Sequence, residues 1–180
     1  MSFTGYNALD SREIEFYNAI SHRGSSVIIY PWQSSTTVIT YKEALMSPIT
    51  VVDNEYITLQ YLPDKNIIYH TIHKPIDDQM LKDALNAGTE ALKEHGACKW
   101  LSDNRKNGPL SQEMVDWGLR DWDARTIAAG WKYWASVVPQ ALADAGTLMP
   151  LIDVLYDLGL RMMLFTDLEQ AFEWLDGLKI

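Results

Sequence analysis

One cysteine in 180 residues leaves no partner for an internal disulfide. Cys98 sits in the apolar run ACKWL, where a buried free thiol in a reducing compartment is expected. Basic charge is also scarce. Lys and Arg number 15 against 24 Asp and Glu, a net charge of -9. A surface that grips phosphates needs clustered Lys and Arg, so nucleic acid and anionic membranes are excluded as expected partners. No apolar run approaches the roughly 20 residues needed to span a bilayer, which argues against stable membrane insertion. The opening MSFTGYNALDSREIEFYN lacks the basic-then-apolar layout of a signal peptide, so a cytoplasmic location is expected. Motifs that declare a reaction are missing too: no G-x-S-x-G elbow, no G-x-x-x-x-G-K and no G-x-G-x-x-G. Cys98 has no base near it in sequence and makes a poor nucleophile. His70 and His73 would point to opposite faces of a strand, a poor start for a shared metal. His22 and His95 stand alone, in solvated or capping roles. No catalytic residue, metal or cofactor is expected.

What is present suits a globular α/β protein. Hydrophobic residues make up 47% and charged residues 22%, ordinary values for a chain long enough to bury a core. Residues 1–47 form an N-terminal extension. Asp10 and Glu13 bracket a capping box before a short helix through Ile20, and VIIY (27–30) and TTVITY (36–41) have strand character. With so few apolar residues, the extension should pack on the rest of the chain or on another subunit. Residues 48–180 are more regular. EYITLQY and NIIYHTI flank the turn sequence PDK as a β-hairpin. A helix then runs from about Asp77 to His95 with its stripe on Leu81, Ala84, Leu85, Gly88 and Leu92, ended by Gly96. ACKWLSD, WKYWASVV and MMLFT are strands. Helices separate them: one capped by Ser111 with Leu110 and Val115 as a hydrophobic staple, one broken at Gly146 and Pro150, and a last one entered through TDLE. The order ββαβαβαβα predicts a mostly parallel sheet with helices packed on it, antiparallel only at the first hairpin.

Four of the seven tryptophans lie within residues 117–135. Val115, Leu119, Trp122, Thr126 and Ala129 recur at helical spacing, which takes Trp122 into the core. Trp131 and Trp134, three apart on a strand, are expected on opposite faces of the sheet. Trp117 is the outlier, about 140° around an α-helix from Trp122. Burying an indole of about 150–250 Å² contributes roughly 4–6 kcal/mol at most. Some cover is therefore expected: the N-terminal extension first, then a second subunit, then a ligand.

The loop SDNRKNGPLS (102–111) leaves the carboxyl end of a sheet strand and enters a helix, a place where ligands collect in open α/β sheets. It offers Asp103, Asn104, Arg105, Lys106 and Asn107 beside free helix N–H groups, as a small-anion or polar-headgroup site. The plainer reading makes Asn107-Gly108-Pro109 a turn and the charges solvated. As a site residue, Arg105 should be dispensable for folding. Asp77-Asp78 opens a helix, where carboxylates suit the dipole, and Asp116/Arg120 and Asp121/Arg125 are i,i+4 pairs on a solvated helix face.

KWLSDNR, then W-x4-W-x2-R (Trp117, Trp122, Arg125), then VVP (137–139) and finally FTDLEQAFEWL (165–175) resemble the STAS-like, SpoIIAA-like family over about residues 49–180. Its members are small bacterial proteins related to anti-sigma-factor antagonists and to CRAL-TRIO lipid-transfer domains. The resemblance implies a sheet flanked by helices and no enzymatic activity. The family's regulatory branch carries a phosphorylatable serine in an Asp-Ser-Ser-Gly-like turn. The matching stretch here, residues 102–108, has no Ser or Thr after Asp103, and Ser111 is accounted for as a helix cap.

Two functions compete. The first is a non-catalytic binding or regulatory module acting on a protein partner or by self-association, for instance as a homodimer. The second is a carrier of a small apolar or lipidic ligand, drawing on the Trp, Tyr and Met content. A small enzyme using Asp103 and Arg105 stands third. A closed core without a cavity would count against the carrier.

Overall fold

In a computed structural model the chain divides into two compact units, residues 1–47 and 48–180. The structure describes residues 46–178 in full and, in the first unit, the backbone of two short strands, β1 (Val27–Ile28) and β2 (Ile39–Thr40), which pair antiparallel. The short helix expected before Ile20, and any cover that residues 1–45 give Trp117, lie outside the described residues.

The second unit is an α/β structure built on one six-stranded mixed sheet. Its strands are β3 (Ile49–Asp53), β4 (Ile57–Leu62), β5 (Ile67–Ile72), β6 (Lys99–Asp103), β7 (Tyr133–Val137) and β8 (Arg161–Phe165), and they lie side by side in chain order. β3–β4 and β4–β5 are antiparallel, and the later pairs are parallel. Antiparallel pairing therefore extends one strand beyond the hairpin expected from sequence. β3 has only ITVVD to declare it and is exposed or half-buried along its length, so neither alternation nor a long apolar run marks it.

α1 (Asp78–His95) is capped by Asp77, whose carboxylate accepts from the Met80 N–H, and ends at Gly96 with φ 62°. Gly88 lies at the closest approach of helix and sheet. A Cβ there would run into the Trp100 ring and come 2.9 Å from Leu59 Cδ1. The next crossover is helical in three pieces: α2 (Gln112–Trp117), a π-helical turn (Gly118–Trp122) and α3 (Asp123–Ala128). After β7 come α4 (Gln140–Asp144) and α5 (Met149–Asp157), and after β8 the last helix, α6 (Leu168–Gly177). The N-cap of α6 is Asp167, which accepts from the Gln170 N–H; the capping box expected to start at Thr166 is displaced by one residue.

Parallel strands added always in the same direction, with crossovers of one hand, place their helices on one face. That face carries the larger core, around Leu59, Ile68, Trp100, Trp122, Trp131 and Leu155. α6 covers the other face with Ala171 and Leu175 against Ile67, Leu101 and Val137. β6, fully buried, is sandwiched between them, as a central parallel strand must be.

Two expectations about tryptophans fail here. Trp131 precedes β7 rather than lying on it, and its ring is 5.1 Å from that of Trp134 in the same core layer. The alternation rule applies only within a strand, and Gly130 at φ 119° turns the chain just before Trp131. Trp117, for its part, does not point away from Trp122. The two rings stack, with centroids 6.1 Å apart and planes 20° off parallel. The π turn causes this. Asp123 N–H bonds to the Gly118 carbonyl five residues back, so positions five apart come nearly into line instead of 140° apart. The phase slip also buries Met114 rather than Val115.

Candidate functional site

Between the sheet and the three helical crossovers lies a cavity of about 530 Å³ at the carboxyl ends of β5, β6 and β7. Strand register builds its floor. His70, Ser102 and Ser136 are successive partners across β5, β6 and β7, so the pleat turns all three to the helix-covered face. Asn104, just beyond β6, completes the polar end. The walls are apolar: Trp117 and Trp122 from the α2–α3 crossover, Trp134 and Met162 from the sheet, and Leu142 and Leu151 from α4 and α5.

The polar groups form one directed chain. The indole N–H of Trp100 donates to His70 Nδ1 at 3.1 Å. An indole nitrogen can only donate, so Nδ1 is the bare acceptor of a neutral imidazole and Nε2 carries the hydrogen. Nε2–H donates to Asn104 Oδ1 at 3.2 Å, and the Asn104 amide donates to Ser136 Oγ at 3.3 Å. Beside this chain, Trp134 Nε1–H donates to Ser102 Oγ at 2.9 Å. Burial holds the imidazole neutral, with its pKa lowered to about 4; the Asn104 bond and the nearby Asp103 charge oppose that shift only in part. Neutral and hydrogen-bonded, with His70, Ser102 and Ser136 buried, this array presents polar atoms in fixed positions at one end of an oily cavity.

Asp123 is the exception. It is 4% exposed, lines the cavity beside Gly118, and accepts no hydrogen bond from any described residue. Burial alone raises its pKa to about 6, with no neighbouring charge contributing.

The loop residues singled out from sequence separate onto two sides of the sheet. Asn104 and Asn107 line the cavity, as does Trp117. Asp103, Arg105 and Lys106 line a second, smaller depression with Thr71 and Ile72. Asp103, one residue after Ser102, falls on the opposite face of β6 and is buried there. Arg105 grips it in bidentate fashion, Nε at 2.8 Å and Nη2 at 2.6 Å. Burial resists ionisation of Asp103, but the Arg105 bonds outweigh it and hold the carboxyl below its ordinary range. This guanidinium is thus committed within the protein. Lys82 approaches the Trp117 ring (5.8 Å to its centroid) but pairs with Glu113 at 2.9 Å.

His70, Ser102, Ser136 and Asp123 were not singled out from the sequence as members of one site. A period-two register between His70, Ser102 and Ser136 existed in principle, but it needs the strand order and pairing to be known. Asp123 was hidden by the π turn, since ordinary helical phase groups it differently. Comparison with family models, curated proteins and solved structures finds no match to this chain. Among the described residues no helix is long and apolar enough to cross a membrane, and no cluster of three or more His, Cys, Asp or Glu could hold a metal ion.

Proposed function

We propose that the protein binds and carries a small, mostly apolar molecule in the cavity between sheet and helices. The observation that carries this reading is the cavity itself. Its volume, about 530 Å³, lies within the range of small-molecule sites, and its apolar walls close on a few fixed polar groups at one end. The absence of a nucleophile–base pair among those groups favours binding over turnover: Ser136 Oγ accepts from an asparagine amide, and His70 turns its hydrogen toward Asn104. The carrier reading also agrees with the lipid-transfer side of the STAS-like resemblance, which we retain as a proposal resting on motif order alone.

The test is direct. Three indoles line the cavity, so occupancy should change tryptophan fluorescence. Titration with decanol is expected to give a saturable change, and Leu151→Trp, which fills the cavity, should abolish it while the protein still melts cooperatively. If decanol, decylamine and decanoate all fail to bind, the reading is wrong.

A second reading, docking of a protein partner, draws on other residues. Met149, Val154, Tyr156 and Leu158 of the α5 region are exposed, an apolar set of the kind that marks contact surfaces. Sedimentation showing only the monomer mass at all concentrations would remove self-association as its basis.

A further inference from the structure

From the unpaired Asp123 carboxylate and the indoles beside it, we infer that the ligand carries a cationic ammonium group on its apolar body. The inference rests on the binding function proposed above and specifies its ligand class.

Consider the charge inside the cavity. Among the described residues that line it, none is Lys or Arg. The nearest candidates from the sequence are engaged elsewhere, Arg105 with Asp103 and Lys82 with Glu113. The titratable liners are His70, on β5, and Asp123, at the start of α3. The linings contributed by α1, α2, α4, α5, β6, β7 and β8 are apolar or uncharged. Burial holds His70 neutral, which leaves Asp123 as the single source of charge among the described residues that line the cavity. A carboxylate or phosphate headgroup entering this cavity would lose its hydration and meet no cation.

Next consider Asp123 itself. Buried carboxylates in folded proteins are paired or hydrogen-bonded almost without exception. This one has no donor, although no fully occluded side-chain oxygen or nitrogen lacks a partner among the described residues. The two facts are compatible only if its oxygens remain accessible to a small probe. In a residue 4% exposed that lines the cavity, the cavity is where that access lies. The carboxylate therefore waits on a partner from inside. A hydrogen-bond donor on an uncharged ligand would satisfy its lone pairs but not its charge. An ammonium satisfies both, and the electron-rich indoles of Trp117 and Trp122 stand in the same wall. The net charge of -9 draws cations toward the protein and repels anions.

Three ligands of one chain length separate the alternatives: decylamine, decanol and decanoate, titrated into the full chain at pH 7.5 and followed by indole fluorescence. Decylamine is expected to bind at least tenfold more tightly than decanol, with decanoate weakest. Asp123→Asn should cost decylamine at least tenfold in affinity and leave decanol within about twofold. In the unaltered protein, acidification from pH 7.5 to 5 should weaken decylamine and spare decanol. Equal affinities for amine and alcohol, or an amine affinity untouched by Asp123→Asn, would overturn the inference while leaving a neutral-ligand carrier standing. Failure of all three to bind would overturn both. Should Asp123→Asn not fold, the pH series on the unaltered protein decides alone.

Discussion

Trp100 on β6 donates its indole N–H to Nδ1 of His70 on the neighbouring strand β5, 3.1 Å away, and so decides which imidazole nitrogen bears the hydrogen. From that single bond the direction of the whole polar chain follows, through Asn104 to Ser136. Burial of the same imidazole makes stability respond to acid.

His70 has a folded pKa of about 4 against an ordinary value of 6.5, so the unfolded chain takes up a proton first. Its contribution is intact above pH 6.5 and is lost as pH falls toward 4, by roughly 1.4 kcal/mol per pH unit. Asp123 runs the other way. Its folded pKa, about 6, exceeds the ordinary 3.8, so the folded form binds the proton first and gains stability as pH drops from 6 toward 4. The two slopes oppose each other over that window. Asp123→Asn is expected to stabilise the ligand-free protein at pH 7 by on the order of 2–3 kcal/mol. It should also expose a steep loss between pH 6.5 and 4 that the parent lacks. Urea midpoints across that range check this; parallel profiles for the two proteins would contradict it.

Arg105, read from sequence as dispensable for folding, grips the buried Asp103 carboxylate, and its removal is expected to cost stability. Arg105→Ala leaves the buried Asp103 carboxylate without its two guanidinium bonds. A loss of about 1–3 kcal/mol is expected. Because Asp103 titrates below its ordinary range when paired, that stabilisation is present above the ordinary carboxylate pKa and fades as pH falls through the lowered value. The check is a comparison of melting temperatures at pH 7, where a change under 1 °C would restore the solvated-loop reading.

Gly88→Ala sets helix propensity against packing. Alanine is favoured in a helix interior by about 1 kcal/mol, but its methyl would strike the Trp100 ring and crowd Leu59. The rings of Trp122 and Trp131 already hold Trp100 in place. The net expectation is a destabilisation of about 1–3 kcal/mol, read from chemical unfolding; a more stable variant would show that α1 can lift off the sheet at little cost.

Trp117 and Trp122 should separate stability from binding. Trp122 is buried, and its Nε1–H donates to Thr89 Oγ1 at 2.9 Å, while Thr126 Oγ1 sits 2.9 Å from the same hydroxyl. Trp122→Ala is expected to cost about 3–5 kcal/mol. Trp117, half-buried in the cavity wall, should cost no more than about 2 kcal/mol on truncation while weakening decylamine binding at least fivefold. Equal destabilisation by the two substitutions would place Trp117 in the core proper.

Local chemistry made much of the architecture legible in the amino acids. The caps Asp77 and Ser111, the terminator Gly96, the hairpin around PDK and the apolar runs of β4 to β8 each act over a few residues. Periodicity and turn chemistry therefore sufficed to place them. The edge strand β3 escaped because an exposed or half-buried strand carries little pattern.

The cavity was decided elsewhere. His70, Ser102 and Ser136 lie more than 30 positions apart along the chain and meet only through parallel register. Asp103 and Asn104 are adjacent in sequence, yet one faces α6 and the other the cavity. A single π turn reset the helical phase that would have sent Trp117 and Asp123 elsewhere. Sequence by itself determined the inner strands β4 to β8, the main helices and the excess of negative charge. Tertiary structure alone decided which polar groups share a space, because strand pairing and helical phase are set by packing over distances that no local pattern encodes.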